Sequence, residues 1–279
     1  MVRNLLRFTP SNQDILGKQW LKNLAIHLSI IPDKQVYIIS YPKSGRTWLR
    51  VLVGKILCDH CDLDQRWLLN TYKVTTLAKI LRTKFTHDNS ELKKDIAWHK
   101  LATNKNHYRQ KKVVLIVREP KDLIVSSYFH ATKRINKFSK SLPEFIRSPK
   151  YGIRKIMAFY KIWYDHQTIP EDFLLIRYEE MHQDTVTCIH SVLQFIGASN
   201  IPETIINNAI EFCLFENMKQ LERSGEFNTK IIQPVDPMDN ESYKVRRGKV
   251  GGYRDYLSQE DIDFIDQIIL EFGNPFGYN

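Results

Sequence analysis

The chain has 279 residues, of which 43% are hydrophobic and 26% are charged, and its formal net charge is +10 at pH 7. This length is enough for one large α/β domain with a proper core, and the positive charge favours anionic ligands. No apolar run approaches the ~18 residues of a membrane span, so we do not expect a transmembrane helix.

Four cysteines in a chain of this length do not make a disulfide framework, and the N-terminus lacks the continuous apolar centre of a signal peptide. We therefore expect a cytoplasmic protein. Cys58 and Cys61 have a spacing compatible with metal binding, but no second close pair exists, and no metal site is expected. The basic residues are dispersed, so the sequence does not predict a long nucleic-acid-binding tail.

The first elements along the chain form a strand, a turn and a helix. Residues 13–30 have an amphipathic pattern, which predicts a helical extension within residues 1–35. Val36–Ile39 is a branched apolar run typical of a strand buried on both faces, Ser40–Arg46 is a polar turn, and a helical pattern follows to Leu57. This order points backbone N–H groups at an anion, and Lys43 adds a full charge, so the turn predicts a phosphate site.

A second strand–turn–helix unit follows further along the chain. Val113–Val117 is the clearest buried strand, Arg118 stands at its end, and Pro120 suits the first position of a helix. Two shorter strands are predicted, at Leu81–His87 and at Phe173–Ile176.

The remaining pattern predicts helices and one long loop. Helices are expected over residues 151–166, from Asp184 to Gly197, from Pro202 towards Glu222, and from Ser258 to near Gly273. Residues 223–252 are polar and predict a long functional loop. Alternating strands and helices predict an α/β fold over residues 1–279: a single P-loop-like domain with a central parallel β-sheet flanked by helices on both faces. Ligands of such sheets lie at the carboxyl ends of the strands.

Three separated motifs resemble one known family. Tyr41–Trp48 reads YPKSGRTW, which is not a Walker A loop because Lys43 precedes Gly45. It resembles the 5′-phosphosulfate loop of sulfotransferases that use 3′-phosphoadenosine 5′-phosphosulfate (PAPS). Arg118–Ser126 resembles their 3′-phosphate motif, and Arg246–Gly252 resembles the R-K-G-x-x-G segment that closes over the 3′-phosphate.

The resemblance implies a set of cofactor contacts and gives residues 223–252 the role of a cofactor-closing loop. Arg118, Ser126, Arg246 and Gly248 would hold the 3′-phosphate, and Trp48 and Phe215 would sandwich the adenine. The full implied set of cofactor-binding residues is Lys43, Ser44, Gly45, Arg46, Thr47, Trp48, Arg118, Ser126, Tyr178, Phe215, Arg246, Arg247 and Gly248.

Sulfuryl transfer also requires help for the leaving group and a base for the acceptor. Lys43 is the candidate cation near the bridging oxygen, and a histidine suits the role of base. His87 closes a predicted strand in Phe85-Thr86-His87, which resembles the family's strand end, and His99 is the second candidate. The other histidines that we weighed were interpreted as surface or packing residues: His60, His107, His130, His182 and His190.

The predicted activity is sulfuryl transfer from PAPS to a hydroxyl or amine, with 3′,5′-adenosine bisphosphate (PAP) as product. Two alternatives stay open on the sequence alone. A P-loop kinase would need a Walker lysine and an acidic Mg²⁺ partner at a strand end, and neither arrangement is found. A basic nucleic-acid-binding domain would need a long charged face, whereas these basic residues stand at strand ends and in glycine turns, so no nucleic-acid partner is expected. A sulfotransferase fold that binds nucleotide without catalysis is a third reading, against which the intact Lys43 argues.

Several departures from the family pattern limit what the resemblance implies. Arg46 replaces a small hydroxyl residue, and Arg247 replaces a more usual lysine, which preserves charge but not geometry. Residues 254–258 only loosely follow the dimerisation motif, so the oligomeric state stays open. The acceptor also stays open: a small molecule, a glycan or a lipid headgroup would each fit. Aromatic residues in the variable regions suit an apolar or sugar-ring acceptor or simple packing: Trp67, Tyr72, Tyr128, Phe129, Phe138 and Phe145.

Overall fold

The structure is a computed structural model that describes residues 34–225 and 231–278. The helix predicted over residues 13–30 lies outside the described residues. Four strands form one sheet in the order β2-β1-β3-β4, and all three neighbouring pairs are parallel. The strands are β1 (Gln35–Ser40), β2 (Arg82–Thr86), β3 (Lys112–Val117) and β4 (Asp172–Arg177). The α/β prediction is therefore confirmed.

Helices follow or connect the strands. They are α1 (Arg46–His60), α2 (Thr71–Leu77), α3 (Pro120–Phe129), α4 (Leu142–Arg147), α5 (Ile153–Asp165), α6 (Tyr178–Gln183), α7 (Thr185–Phe195), α8 (Glu203–Phe212), α9 (Phe215–Ser224) and α10 (Gln259–Glu271). The turn after α3 is π-helical over His130–Arg134. Pro120 is the first residue of α3, as predicted.

The sheet separates two hydrophobic cores. Along β3, Val113, Leu115 and Val117 pack into one core, while Val114 and Ile116 pack into the other. Successive side chains of a strand point to opposite faces, so a strand that is apolar at every position must be covered on both sides. Helices α3, α5 and α10 cover the first face, and α1, α7 and α8 cover the second.

One predicted helix is wrong. The sequence predicts a continuous helix from Pro202 towards Glu222, but the structure has two helices, α8 and α9, with a break at Cys213 and Leu214. Leu214 has an extended backbone with φ −55° and ψ 149°, which cannot continue a helix. Because the chain changes direction there, α9 begins at Phe215, which lines a cavity at the carboxyl ends of the strands.

The segment 231–252 is mostly irregular, with a short 3₁₀ turn at Asn240–Ser242. It crosses the carboxyl ends of β1 and β3 before α10 begins. In the part of the chain that the structure describes, no helix has the length and apolar character needed to span a membrane.

Candidate active site

A cavity of about 410 Å³ opens at the carboxyl ends of the central strands. It is lined by both strand–turn–helix units, by the starts of α6 and α9, and by residues 244–253, which we call the late segment. Of the predicted site residues it brings together Lys43, Gly45, Arg46, Thr47, Trp48, His87, Arg118, Ser126, Tyr178, Phe215, Arg246, Arg247 and Gly248. His99 is exposed and lies outside the cavity. Ser44 is fully buried, and its hydroxyl donates to the Tyr41 carbonyl at 3.0 Å, so its side chain holds the turn rather than lining the cavity.

The first loop depends on two residues in left-handed backbone conformations. Lys43 has φ +77° and Gly45 has φ +91°. A Cβ atom on Gly45 would lie 2.5 Å from Cδ2 of Tyr178, so glycine is needed for both the backbone angle and the contact. Lys43 Nζ donates to the Lys244 carbonyl at 3.2 Å. Burial, followed by the charges of Lys244 and neighbouring arginines, holds the pKa of Lys43 well below its usual range.

Arg118 is fixed at the end of β3 by contacts on several sides. The Tyr160 hydroxyl accepts from the Arg118 N–H at 2.8 Å and donates to the Arg118 carbonyl at 2.7 Å. The guanidinium donates to the Lys43 carbonyl at 3.2 Å and lies 4.2 Å from the centre of the Tyr178 ring. Its Nε is buried and has no hydrogen-bond partner among the described residues. Arg118 therefore retains a free donor for an anion at this edge of the sheet.

Asp122, which the sequence analysis did not select, ties the late segment to α3. Its two carboxylate oxygens accept from the N–H groups of Gly251 at 2.7 Å and Tyr253 at 2.8 Å. It is one turn after Arg118 and four residues before Ser126, so all three share one side of the turn and helix. The contacts place the late segment over Arg118 and Ser126.

The arginines of the late segment already have partners. Arg246 donates to Glu241 at 2.9 Å and to the Tyr256 hydroxyl at 2.6 Å, and Arg247 pairs with Asp255 at 2.7 Å. Both line the cavity, but their guanidinium groups are held by the protein, whereas the resemblance places Arg246 on the 3′-phosphate and Arg247 on the nucleotide. Binding of the nucleotide by Arg246 and Arg247 stays a prediction. It would require each guanidinium group to share its present partners with the nucleotide or to exchange them for it.

Aromatic side chains form one wall of the cavity. The Trp48 ring lies 6.2 Å from Tyr178 and 4.8 Å from His182, measured between ring centres. Phe215 packs against Gly248, where a Cβ atom would come within 2.4 Å of the ring and where φ is +59°. Flat rings at these positions provide stacking surfaces for a planar base. His182 was interpreted as a surface or packing residue, and it lines this wall.

His87 lies just past the end of β2 and faces the cavity. Its Nδ1 is 2.8 Å from the Ser40 carbonyl, which can only accept, so Nδ1 carries the proton and Nε2 keeps a free lone pair. Burial, followed by the charges of Arg46 and Lys244, holds the pKa of His87 well below its usual range. The imidazole is therefore neutral at physiological pH.

His130 is a second histidine at the cavity, and the sequence analysis interpreted it as a surface or packing residue. It stands four residues after Ser126, a spacing that places both side chains on one helical face. This spacing is a sequence signal from which His130 could have been predicted as a cavity residue. Its Nδ1 is buried and has no hydrogen-bond partner among the described residues. Burial, with the charges of Lys43 and Arg134, lowers its pKa to about 2.

A buried ion pair holds the late segment from the other side. Glu222 of α9 is fully buried and accepts from the N–H groups of Lys244 at 2.6 Å and Val245 at 2.7 Å. Arg134 donates to the same carboxylate at 3.1 Å and to the carbonyls of Ser242 and Gln233. These contacts fix the backbone that places Lys244 at the cavity. No local sequence motif indicates that they form.

Comparison with known proteins identifies a family for this chain. Residues 33–272 match the sulfotransferase domain family. The flavonol 3-sulfotransferase of Flaveria bidentis is 30% identical over 260 residues, covering 85% of this chain and 80% of that protein. The amine sulfotransferase of Oryctolagus cuniculus is 25% identical over 253 residues, covering 86% and 81%.

A solved structure supports the fold. The crystal structure of a mouse sulfotransferase complexed with PAP superposes with a TM-score of 0.60 at 21% identity, covering 86% of this chain and 84% of that one. The chain belongs to the sulfotransferase domain family.

Proposed function

We propose that this member of the sulfotransferase domain family transfers a sulfuryl group from PAPS to a hydroxyl or amine of an acceptor, and that PAP is the second product. When bound, PAPS supplies the activated sulfuryl group on its 5′-phosphate. The observation that carries the proposal is one cavity in which Lys43, Arg118 and His87 converge from the ends of three parallel strands. Relatives named for a flavonol and for an amine are consistent with the two acceptor classes.

The residues present fit a nucleotide with phosphates at the 3′ and 5′ positions of its ribose. Arg118 has a buried Nε without a partner among the described residues, and Lys43 has a neutral carbonyl as its hydrogen-bond partner. An anion would satisfy the donors of both, because charge-assisted hydrogen bonds are stronger than neutral ones. Trp48 and Phe215 supply flat surfaces on the wall of the same cavity.

His87 is proposed as the general base. Nε2 is the nitrogen with a free lone pair, since Nδ1 is bound to the Ser40 carbonyl. Nε2 would accept the proton of the acceptor hydroxyl as it attacks. Burial, followed by the surrounding cations, lowers the pKa of His87, and a bound anion would offset the charge of those cations and raise that pKa.

Lys43 is proposed to stabilise the charge that develops on the leaving phosphate oxygen. Its ammonium group donates to the Lys244 carbonyl, which orients it. Lys43 itself has a left-handed backbone conformation in the turn between β1 and α1. Burial, followed by the charges of Lys244 and neighbouring arginines, lowers its pKa, and a neighbouring phosphate would favour the charged form.

Nucleotide binding tests the proposal directly. Calorimetry with PAP, ADP and ATP, each without and with Mg²⁺, should show tight, metal-independent binding of PAP alone. Preferential binding of ATP with Mg²⁺ would instead favour the P-loop kinase alternative. The described residues on the cavity wall argue against that alternative, because Asp122 is the one acidic residue among them and backbone N–H groups occupy both its oxygens.

The role of the base is tested by His87→Ala, with His99→Ala as the matched control. The first variant should bind PAP normally and lose turnover by at least ~100-fold, the usual size of a general-base contribution. The control should retain both, since His99 is exposed and outside the cavity. Near-normal turnover in the His87 variant would remove the base assignment and leave PAPS binding standing.

A further inference from the structure

A second cavity, of about 550 Å³, lies along α1 and β2 beside the first. Arg50 and Phe85 line it, whereas Arg46 and His87 line the first cavity. Arg46 and Arg50 are four residues apart on one helix and therefore lie on the same face. Arg50 is also close enough to His87 to lower the pKa of that histidine. The second cavity therefore begins close to His87, the proposed base, and continues away from it.

The second cavity is positively charged. Arg50, Arg66 and Lys84 line it, and no carboxylate is present among the described residues of its wall. Arg66 is paired with Asp64 at 3.0 Å, and Lys84 has only the Gln35 amide oxygen, at 3.5 Å. Two of the three cations therefore face the cavity without an acidic partner in the described part of the chain.

Arg50 is the most informative of these cations. Its guanidinium lies 4.6 Å from the centre of the Phe85 ring, and its Nε is buried with no hydrogen-bond partner among the described residues. Burial lowers its pKa to about 10, so it stays charged at neutral pH. A partly buried cation without an anion is costly, and a bound anion would relieve that cost.

Each cation of the second cavity lies over an aromatic ring. Arg50 faces Phe85, Arg66 lies 5.0 Å from the Trp67 ring centre, and Lys84 lies 5.0 Å from the Tyr72 ring centre. Such rings give the cavity wall apolar surface for contact with a ligand ring, while the cations bind a charged substituent. The wall therefore suits a ring that carries an anionic group.

We infer that the acceptor is a ring compound bearing an anionic group, which binds Arg50 in the second cavity while its hydroxyl lies beside His87. This inference rests on the proposed function and adds the chemical class of the acceptor. Arg46, at the first cavity, and Arg50, at the second, are separated by roughly 6 Å along the helix, a distance that one ring compound can span. A carboxylate, a sulfonate or a phosphonate shares the required chemistry.

Matched acceptors test the inference. Turnover with PAPS is measured for 3-(4-hydroxyphenyl)propionate, neutral 4-propylphenol and cationic tyramine, and 4-hydroxybenzenesulfonate and 4-hydroxybenzylphosphonate distinguish the kind of anion. The carboxylate should exceed its neutral partner in kcat/KM by at least ~10-fold, the size of one charge-assisted hydrogen bond. Calorimetry of the same compounds with PAP-saturated protein supplies a readout that does not depend on turnover.

Arg50→Gln should remove the preference by lowering kcat/KM for the anionic acceptors alone. Arg109→Gln, which changes an exposed arginine outside both cavities, is the matched control and should leave the preference intact. Thermal unfolding of both variants confirms that they are folded. Anionic acceptors that bind and react no better than neutral or cationic ones, with PAP binding intact, overturn the inference alone. Failure of PAP binding itself would overturn the proposed function.

Discussion

Replacing Asp122 by asparagine perturbs the contacts that hold the late segment over the cavity, and it also removes the carboxylate charge that lies 3.9 Å from the Arg118 guanidinium. The carboxylate is buried and accepts from Gly251 and Tyr253 at 2.7 and 2.8 Å. Asparagine has nearly the same shape but only one acceptor oxygen, so its amide group must face one of the two N–H donors. One charge-assisted hydrogen bond is lost, which costs about 1.5–3 kcal/mol in segment closure. If closure is coupled to binding of the 3′-phosphate, affinity for PAP falls by roughly 10- to 150-fold.

Calorimetry with PAP and with 5′-AMP separates this effect from general damage. The loss should appear with PAP and be nearly absent with 5′-AMP, because the tethered segment lies over Arg118 and Ser126, where the 3′-phosphate is proposed to bind. Asp165→Asn, at an exposed carboxylate paired with Lys161, is the control and should bind both nucleotides normally. Unchanged PAP affinity in Asp122→Asn, or an equal loss for both nucleotides, would refute the reasoning.

Three further predictions concern Lys43, Glu222 and the two cavity histidines, His87 and His130. Lys43→Met should lower single-turnover rates by at least ~100-fold, because the leaving oxygen loses its cation; a loss in PAP affinity with normal turnover would contradict this. Glu222→Gln should lower the free energy of unfolding in urea by about 3 kcal/mol, because it leaves Arg134 buried without its charged partner; a change under about 1 kcal/mol would contradict it. His87 and His130 have lowered pKa values in the folded state, so the unfolded chain binds more protons below the ordinary histidine pKa of about 6.5. Stability should therefore fall as pH drops from 7 to 5, and His130→Asn should flatten that dependence in urea unfolding at each pH.

The sequence was enough to determine the sheet and the turn between β1 and α1, because both depend on local patterns. An unbroken apolar run such as Val113–Val117 can only be stable when covered on both faces, and the structure covers it in that way. A polar turn between a strand and a helix must lie at the carboxyl end of the sheet. Lys43, Arg118 and His87 therefore meet, as their positions after strands predict.

The break between α8 and α9 illustrates where local pattern fails. Residues 203–224 contain no proline or glycine to interrupt a helix, so the sequence favours a continuous one. The structure instead places Leu214 in an extended conformation, and Phe215 and Met218 then line the cavity. Tertiary packing outweighs the small preference of each residue for helix.

Only the tertiary structure decided which charged groups are free to bind a ligand. Arg246 and Arg247 match a phosphate motif, yet Tyr256 and the carboxylates of Glu241 and Asp255 occupy them. Arg50 matches no motif and has no acidic partner among the described residues. The composition fixes how many charges a chain carries, but pairing between them depends on contacts made across long separations when the chain folds. The availability of a cation is therefore a property of the folded arrangement and not of its local sequence.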